Sequence, residues 1–427
     1  MINRLITGVI RSMHGPAASP ESRGESAKPS PAALQGLKVV ECATVIAAPL
    51  CGRLLADFGA EVIHIEHPKT GDHLRQFGFT VNGVNPWWKY YARNKKLVTL
   101  DISKSKGREI LCRLLSDADV FIENFRPGRL EQWGITYDEL ARINPRLIMV
   151  RVTGFGQTGP YSSQPGFGTI IEAMSGFAEM TGEPDGPPIL PQFALADSYA
   201  GLYAAAATMF AIYHRDVLNH GRGQVIDVSI LESLFGMLGP NALVHQLTGK
   251  PPRRTGNRTG TTAPRNVYRT GDDRWVALAG STQSTAVRLF AAIGCPELSE
   301  DPRFSTNAKR VENVDELDEI VGAWMREHTR DEIVAILRVA EVPVGPINDI
   351  ADLLKDEHVR ARQMIVDVPD GDRSPLSLEG VFPRMQQTPG RIRHAGNEIG
   401  ADNQEIYGER LGLSAKEIEE LKQAGII

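Results

Sequence analysis

Apolar residues along most of the chain alternate between short continuous runs and helically spaced segments. The runs Leu37–Cys42 and Glu61–Glu66 predict buried strands, and Ala48–Phe58 between them has helical spacing and ends at Gly59. The same alternation predicts further strands over 98–102, 119–123 and 147–153, and helices over 104–116 and 137–142. Strands that alternate with helices indicate a parallel sheet with helices on both faces. We therefore expect an α/β fold with a doubly wound sheet.

Three stretches interrupt this pattern. Residues 1–34 begin with a basic, acid-free segment and continue rich in Ser, Pro, Ala and Gly. They are expected to form a disordered tail or a targeting segment, such as a mitochondrial transit peptide. Residues 154–192 are dense in Gly and Pro and predict a long loop, where function concentrates in α/β proteins. After a linker-like segment over 250–270, a hairpin and a helix indicate a second, smaller domain.

The composition argues against several classes of function. The 427 residues are 42% hydrophobic and 23% charged with a formal net charge of −5, so we expect no nucleic-acid or membrane partner. No apolar run predicts a membrane span. The four cysteines form no C-x-x-C pair or Cys/His cluster, so neither a disulfide framework nor a metal site is predicted. A cytoplasmic location is expected, or the mitochondrial matrix if residues 1–34 are a transit peptide.

One glycine motif matches a dinucleotide-binding fingerprint without its structural context. Gly154–Gly159 satisfies G-x-G-x-x-G directly after a predicted strand, but Pro160 follows at once and no apolar helix can begin there. The first strand–helix turn, Ala43–Pro49, contains no glycine. We therefore expect no nicotinamide or flavin cofactor, and interpret these glycines as a loop shaped to approach a ligand.

Asp197 stands at the start of a long apolar helix and has two interpretations. Asp is among the residues preferred at a helix N-cap. The same position keeps a carboxylate ionised through the helix macrodipole, which suits a nucleophile. The segments Arg93–Lys96 and Glu123–Arg129 flank the predicted sheet, and together they are candidates for a local positive field that binds a polyanionic ligand.

Seven motifs, in order, resemble those of the class III CoA-transferases. This family includes formyl-CoA transferase, carnitine CoA-transferases and the 2-methylacyl-CoA racemases. The resemblance runs from about Leu37 to the C-terminus, and several matches in one order make it specific. The motifs occupy residues 50–66, 93–96, 123–128, 153–160, 197–201, 221–229 and 342–346.

The resemblance implies a domain organisation and a set of partners. A Rossmann-like large domain would comprise residues 35–225 and 341–427, with a small α+β domain and its linkers over 226–340. Two subunits would form an interlocked homodimer. The substrates would be an acyl-CoA and a free carboxylic acid, so that coenzyme A enters as a thioester substrate and no cofactor is permanently bound.

The resemblance also implies the site residues. Asp197 is the expected catalytic nucleophile, which forms a mixed anhydride and then an aspartyl-CoA thioester, and backbone amides over 166–168 are candidates for holding oxyanions. His67 and Gln132 stand where relatives often carry arginine, so either Arg126 and Arg129 compensate or CoA affinity is lower. The matched positions expected to contact CoA are Val45, Ile46, Ala47, His67, Leu100, Asn124, Phe125, Arg126, Gln132, Gly166, Phe167 and Gly168.

The pair Phe167–Gly168 bears on the type of reaction. In the racemase branch this segment carries a His-Asp-like pair that exchanges a proton, which Phe167 cannot do, so an acyl-CoA isomerase or racemase is the weaker alternative. The segment Pro165–Gly168 looks like that of members using succinyl-CoA and a small dicarboxylic or hydroxydicarboxylic acid such as malate or citramalate. A non-catalytic subunit of a heteromeric CoA-transferase is the remaining alternative, against which Asp197 argues.

Overall fold

A six-stranded parallel sheet forms the centre of the computed structural model, which describes residues 31–218 and 220–427. Its strands are β1 (Lys38–Cys42), β2 (Glu61–Glu66), β3 (Lys96–Thr99), β4 (Val120–Glu123), β5 (Ile148–Thr153) and β6 (Val225–Ser229). They are ordered β3-β2-β1-β4-β5-β6, and each neighbouring pair is parallel. The predicted α/β fold with a parallel sheet is confirmed. Residues 1–30 of the predicted tail lie outside the described residues.

Nine helices of the described chain accompany these strands. In the first half of the sheet they are α1 (Ala47–Asp57), α2 (Pro86–Tyr91), α3 (Ser105–Leu115), α4 (Arg129–Gln132) and α5 (Tyr137–Ile143). After β5 they are α6 (Gly168–Met174), α7 (Leu195–Asp216), α8 (Ile230–Met237) and α9 (Asn241–Thr248). The predicted helix bounds before β5 are correct to within one residue. No helix of the described residues is long and apolar enough to cross a bilayer.

The sheet separates two hydrophobic clusters because alternate strand residues point to opposite faces. On β1, Val39 packs in the cluster that includes α1 and α7, while Val40 packs in the cluster that includes α3 and α5. Both faces are therefore covered, which explains why the strands appear in the sequence as continuous apolar runs rather than alternating ones. The helices α1 and α7 pack closely, since a Cβ on Gly201 would lie 2.7 Å from the carbonyl oxygen of Ala47.

The edge strand β3 starts two residues earlier than predicted. Its first residue, Lys96, pairs with Ile63 of β2, and its ammonium group lies 2.9 Å from Glu61 and 2.6 Å from Glu405. A lysine can begin this strand because the edge of the sheet gives its charge two carboxylate partners. The predicted end at residue 102 is also wrong, since the strand ends at Thr99.

The C-terminal segment covers the open edge of β3. The side chains of Asp402 and Asn403 accept hydrogen bonds from the Leu97 and Thr99 amides at 2.6 and 2.9 Å. The Tyr407 hydroxyl donates to the Thr99 carbonyl at 2.6 Å. Side chains thus satisfy backbone groups that an edge strand would otherwise expose. A π-helical turn at Gln404–Arg410 and the C-terminal helix α16 (Ala415–Gln423) add apolar residues to the hydrophobic cluster that contains α3 and α5.

Two small antiparallel sheets follow the large one in sequence. The first contains β7 (Arg265–Arg269), β8 (Trp275–Ala279) and β9 (Val344–Pro346), and the second contains β10 (Ile365–Asp370) and β11 (Arg373–Glu379). The helices between α9 and α16 are α10 (Gln283–Ala292), α11 (Asn307–Glu312), α12 (Val314–Arg326), α13 (Arg330–Val339), α14 (Ile350–Lys355) and α15 (Glu357–Ala361). Helices α10, α12 and α13 share a separate hydrophobic cluster with β7 and β8. The division into domains stays a prediction, although β6 belongs to the large sheet and crosses the proposed boundary at residue 225.

Candidate active site

A cavity of about 410 Å³ opens where the connections of the large sheet diverge. The chain leaves β1 toward β2 on one side, and leaves β4 toward β5 on the other. The turns after these two neighbouring strands separate, and in open α/β sheets ligands bind in such a crevice at the carboxyl ends of the strands. The turn 44–47, the segment 124–127 and the loop 164–167 line the cavity together with Asp197.

Asp197 is the third residue of α7 and not its N-cap, which is Ala194. The capping interpretation is therefore wrong, although Asp197 does lie in the first helical turn. Burial of its carboxylate and, as the smaller cause, the negative charge of Glu172 together raise the pKa of Asp197 to about 6. A carboxylate near neutral pKa, at the wall of a cavity, is typical of a functional group rather than of a surface acid.

Glu172 lies beside this carboxylate and was not identified from the sequence. It belongs to α6, is 3% exposed, and its carboxylate accepts a hydrogen bond at 3.2 Å from the Ala196 amide of α7. Glu172 stands four residues after Gly168, so helical spacing places both on one face of α6. The four-residue spacing from Gly168 is the feature of the sequence that points to Glu172. It does not reveal the packing of α6 against α7, which brings Glu172 to Asp197.

Gly168 has a steric reason to be glycine. A Cβ at this position would lie 2.6 Å from the Asp197 carboxylate oxygen Oδ2. Such an approach is too close for a side chain to share the space. The glycine at residue 168 therefore leaves room for the side chain of Asp197.

The turn after β1 is strained at Val45. Val45 has a φ of 70°, in the left-handed region that β-branched residues rarely adopt, at a cost of about 1–3 kcal/mol. Its amide donates to Asp72 Oδ1 at 3.1 Å. The Asn124 side chain accepts from the Thr44 amide at 3.0 Å and donates to the Thr44 carbonyl at 2.8 Å. Hydrogen bonds from two other segments thus hold the turn in this conformation.

The glycine motif after β5 forms a loop and opens no helix, as predicted. Gly156 has a φ of 85°, and Asp227 of β6 accepts a hydrogen bond from the Gln157 amide at 2.9 Å. Gly154 approaches Gly166 so closely that a Cβ on Gly154 would lie 2.9 Å from the Gly166 Cα. The two ends of the loop therefore pack backbone to backbone, which brings residues 164–167 to the cavity.

Most of the predicted site residues meet around this cavity. Nine of them line it: Val45, Ile46, Ala47, Asn124, Phe125, Arg126, Gly166, Phe167 and Asp197. A second hollow of about 430 Å³ adjoins the first, and His67 and Leu100 line it. The two hollows share Thr44, His73, Phe125 and Trp133. Gly168 and Gln132 line neither hollow: Gly168 lies beside the Asp197 carboxylate, and the exposed Gln132 side chain contacts Arg129 at 3.3 Å.

The segment Arg93–Lys96 does not supply a positive field to the cavity. Arg93 is 2% exposed and pairs with Asp57 at 2.7 Å, and Lys95 is 1% exposed and pairs with Glu41 at 2.7 Å. The partners of Lys96 at the sheet edge are also acidic. The prediction that this segment helps to bind a polyanion is wrong, because each of its charged side chains pairs with a carboxylate of the same chain.

Arg126 differs from that segment. It is exposed, lines the cavity, and forms no ion pair with any residue between 31 and 218 or 220 and 427. The neighbouring Arg129 also lines the cavity and lies over the Trp133 ring, with its guanidinium carbon 5.8 Å from the ring centre. These two arginines are the local positive charges at this cavity. In the described chain, His, Cys, Asp and Glu side chains form no group of three or more suited to a metal ion.

Comparison with known proteins identifies the family. The model of CoA-transferase family III matches residues 34–403. The chain is 40% identical to the succinyl-CoA–D-citramalate CoA-transferase of Chloroflexus aurantiacus, over 94% of this chain and 100% of that protein. It is 39% identical to the β subunit of succinyl-CoA–L-malate CoA-transferase from the same organism, over 92% and 98% of the two chains.

Solved structures agree with the sequence comparison. A CaiB/BaiF family protein from Brucella suis has a TM-score of 0.79 and 34% identity, covering 89% of this chain and 99% of that one. The chain therefore belongs to CoA-transferase family III, as the motifs predicted. It is a CoA-transferase, an enzyme whose substrates are CoA thioesters and carboxylic acids.

Proposed function

We propose that this enzyme transfers CoA from succinyl-CoA to a small dicarboxylic or hydroxydicarboxylic acid, with Asp197 as the nucleophile. The observation that carries the proposal is the carboxylate of Asp197, with a pKa raised to about 6, at the wall of the cavity in the crevice of the sheet. The choice of substrates rests on the relatives named for succinyl-CoA with citramalate or malate, at 39–40% identity.

The reaction proceeds by double displacement. The Asp197 carboxylate attacks the donor thioester carbonyl, forms a mixed anhydride and expels CoA thiolate. The thiolate attacks the aspartyl carbonyl, giving an aspartyl-CoA thioester and free succinate. The acceptor carboxylate then attacks this thioester to form a second anhydride and release CoA thiolate. Finally, the thiolate attacks the acceptor's carbonyl, so that the new acyl-CoA leaves and the Asp197 carboxylate is restored.

The electrostatics of the site suit these steps. At pH 7 a carboxylate with a pKa of about 6 is mostly ionised, and burial leaves it less solvated than a surface carboxylate. Poor solvation makes the anion a better nucleophile, and exclusion of water protects the anhydride and thioester from hydrolysis. The amides over 166–168 are our candidates for stabilising the oxyanions, because Gly168 adjoins the Asp197 carboxylate.

Coenzyme A would occupy the two adjoining hollows. The proposed contacts in the first are Val45, Ile46, Ala47, Asn124, Phe125, Arg126, Gly166 and Phe167, and those in the second are His67 and Leu100. Arg126 would pair with a CoA phosphate, since it has no other anionic partner in the described chain. Gln132 would contact CoA only from outside these hollows.

We further propose that the enzyme is a homodimer. Helix α7 carries a row of exposed apolar residues, with Leu202 55%, Phe210 72% and Tyr213 56% exposed, at spacings that share one helix face. Phe167, at the cavity, is 70% exposed. Exposed apolar surface of this extent is typical of an interface. An interlocked partner would cover it, whereas a heteromer would place a different chain there.

Mass spectrometry of the intact protein tests the nucleophile. After incubation with succinyl-CoA and hydroxylamine, the wild type should carry a hydroxamate that peptide mapping assigns to Asp197. Asp197→Ala should carry none, and Asp185→Ala, which changes an exposed loop acid outside both hollows, should behave as wild type. A hydroxamate on another residue, or equal trapping in the Asp197→Ala protein, would reject the assignment.

The acceptor is then identified by exchange assays. With succinyl-CoA as donor, citramalate and malate should yield new acyl-CoA, and monocarboxylic acids of similar size should react poorly. Deuterium exchange at the α-carbon of a 2-methylacyl-CoA should be absent, because Phe167 offers no acid or base. Rapid exchange without CoA transfer would instead favour the racemase alternative.

A further inference from the structure

The sequence of the turn does not explain the positive φ of Val45. Residues 44–46 contain no glycine, asparagine or aspartate, the residue types that tolerate a positive φ most readily. A β-branched residue keeps such a conformation only when the surrounding structure enforces it. The groups that enforce it therefore determine the shape of the cavity wall, because Val45 and its neighbours Ile46 and Ala47 line the cavity with Asp197.

Asp72 provides the bond to the strained residue itself. Its Oδ1 accepts from the Val45 amide at 3.1 Å and from the Leu74 amide at 2.8 Å, and the residue is 1% exposed. The second bond is local, since Asp72 is the N-cap of a short 3-10 helix at His73–Gln76. The first bond spans 27 residues of sequence and fixes the peptide that precedes Val45.

Asp72 is itself held firmly from β2. Its amide donates to Glu66 Oε2 at 2.9 Å, and Arg75 donates to the same carboxylate group through two nitrogens at 2.7 Å. His64 lies on the other side, with Nε2 3.6 Å from Asp72 Oδ2. The position of Asp72 is therefore set by the sheet and not by the turn that it holds.

We infer that Asp72 is a positioning residue for the substrate cavity, which it shapes by holding Val45 in the left-handed conformation. Asp72 lines neither hollow, so it acts on the substrate through the turn and not by direct contact. The inference rests on the proposed function insofar as the cavity binds acyl-CoA. Without this bond the turn relaxes toward an ordinary φ, the peptides around Val45 rotate, and the wall beside Asp197 changes shape.

Two substitutions separate the long-range bond from the local cap. Asp72→Asn keeps an oxygen at Oδ1 and therefore both hydrogen bonds, and its new amide group faces His64. Asp72→Ser keeps a preferred N-cap residue for the 3-10 helix, but its shorter side chain cannot also reach the Val45 amide. Val45→Gly removes the steric penalty of a positive φ, so the turn no longer depends on Asp72.

Steady-state kinetics with succinyl-CoA and the best acceptor give the first readout. Asp72→Ser should raise the KM for acyl-CoA about tenfold, as expected for the loss of one buried hydrogen bond, with a much smaller change in kcat. Asp72→Asn should keep most of the affinity. Adding Val45→Gly to Asp72→Ser should recover part of the lost affinity. The matched control is Asp349→Ser, an N-cap aspartate of α14 outside both hollows.

Thermal unfolding gives a second readout that needs no ligand. Val45→Gly should raise the melting temperature of the wild type more than that of the Asp72→Ser protein, because the relaxed turn of Asp72→Ser no longer carries the full steric penalty. An inactive wild type that still shows this coupling would reject the proposed function and keep the structural inference. The inference fails if Asp72→Ser leaves KM unchanged, if Asp72→Asn is as damaging as Asp72→Ser, or if Val45→Gly has the same effect in both backgrounds.

Discussion

Two acidic residues of this protein, the fully buried Glu41 and the half-buried Asp197, differ in the charges that surround them. Glu41 Oε1 lies 2.7 Å from Lys95 Nζ and 2.5 Å from His64 Nδ1, inside the sheet. Asp197 has Glu172 as its charged neighbour, and no cation pairs with either of these two acids in the described chain. Buried charges with opposite partners are part of the structure, whereas a carboxylate left beside a like charge keeps its reactivity. The charges of their partners therefore distinguish the two groups: cations neutralise Glu41, whereas Asp197 has a like charge beside it.

The largest effect should follow from removing the charge of Glu41. Glu41→Gln leaves the Lys95 ammonium buried without its carboxylate, which should lower the free energy of unfolding by about 3–5 kcal/mol in urea titrations. The control is Glu61→Gln at the sheet edge, where a half-buried pair with Lys96 should cost less than about 1 kcal/mol. Equal losses of stability in the two variants would show that the buried Glu41–Lys95 pair contributes no more than the half-buried Glu61–Lys96 pair.

Asp197→Asn should raise the free energy of unfolding, whereas Glu41→Gln should lower it. The pKa of Asp197 is raised from 3.8 to about 6, so the folded chain binds this proton more tightly than the unfolded chain does. The ionised carboxylate therefore weakens the fold above pH 6, and the asparagine variant should be more stable at pH 8 by about 1–2 kcal/mol. This advantage should shrink as the pH falls toward 4. A destabilised variant at pH 8 would show that Asp197 is a structural acid.

Arg126→Ala should weaken substrate binding rather than the fold. Arg126 has no carboxylate partner in the described residues, so its loss should raise the KM for acyl-CoA about tenfold while the melting temperature stays near that of the wild type. Arg93→Ala is the informative counterpart, because it should destabilise the protein through the loss of its pair with Asp57. A normal KM for Arg126→Ala would remove this residue from the site.

The smallest effect should come from Glu172→Gln. The variant keeps an oxygen to accept from the Ala196 amide but removes the charge that raises the pKa of Asp197. Activity falls as Asp197 becomes protonated, so the acidic limb of the pH–rate profile should move to lower pH by less than about one unit. An unchanged profile would mean that burial alone sets the pKa of Asp197.

The sequence predicted the fold because each strand and helix carries its own apolar pattern. It also predicted that Asp197 belongs to the site, because this residue stands in a recognisable motif at a helix start, and Asp197 does line the cavity. It misassigned Arg93–Lys96 because charge alone does not reveal partners such as Asp57 and Glu41, 36 and 54 residues away in sequence. Glu172 was missed for a similar reason, since its proximity to Asp197 arises from the packing of two helices.

The covering of β3 by the last residues of the chain has a consequence for biosynthesis. Asp402, Asn403 and Tyr407 satisfy the edge of a strand that was synthesised about 300 residues earlier. The edge of β3 therefore stays open in the nascent protein until residues 402–407 have been synthesised. A premature stop before residue 402 would leave a permanent unpaired edge, prone to association with other chains, even though every residue of the proposed catalytic site is already present.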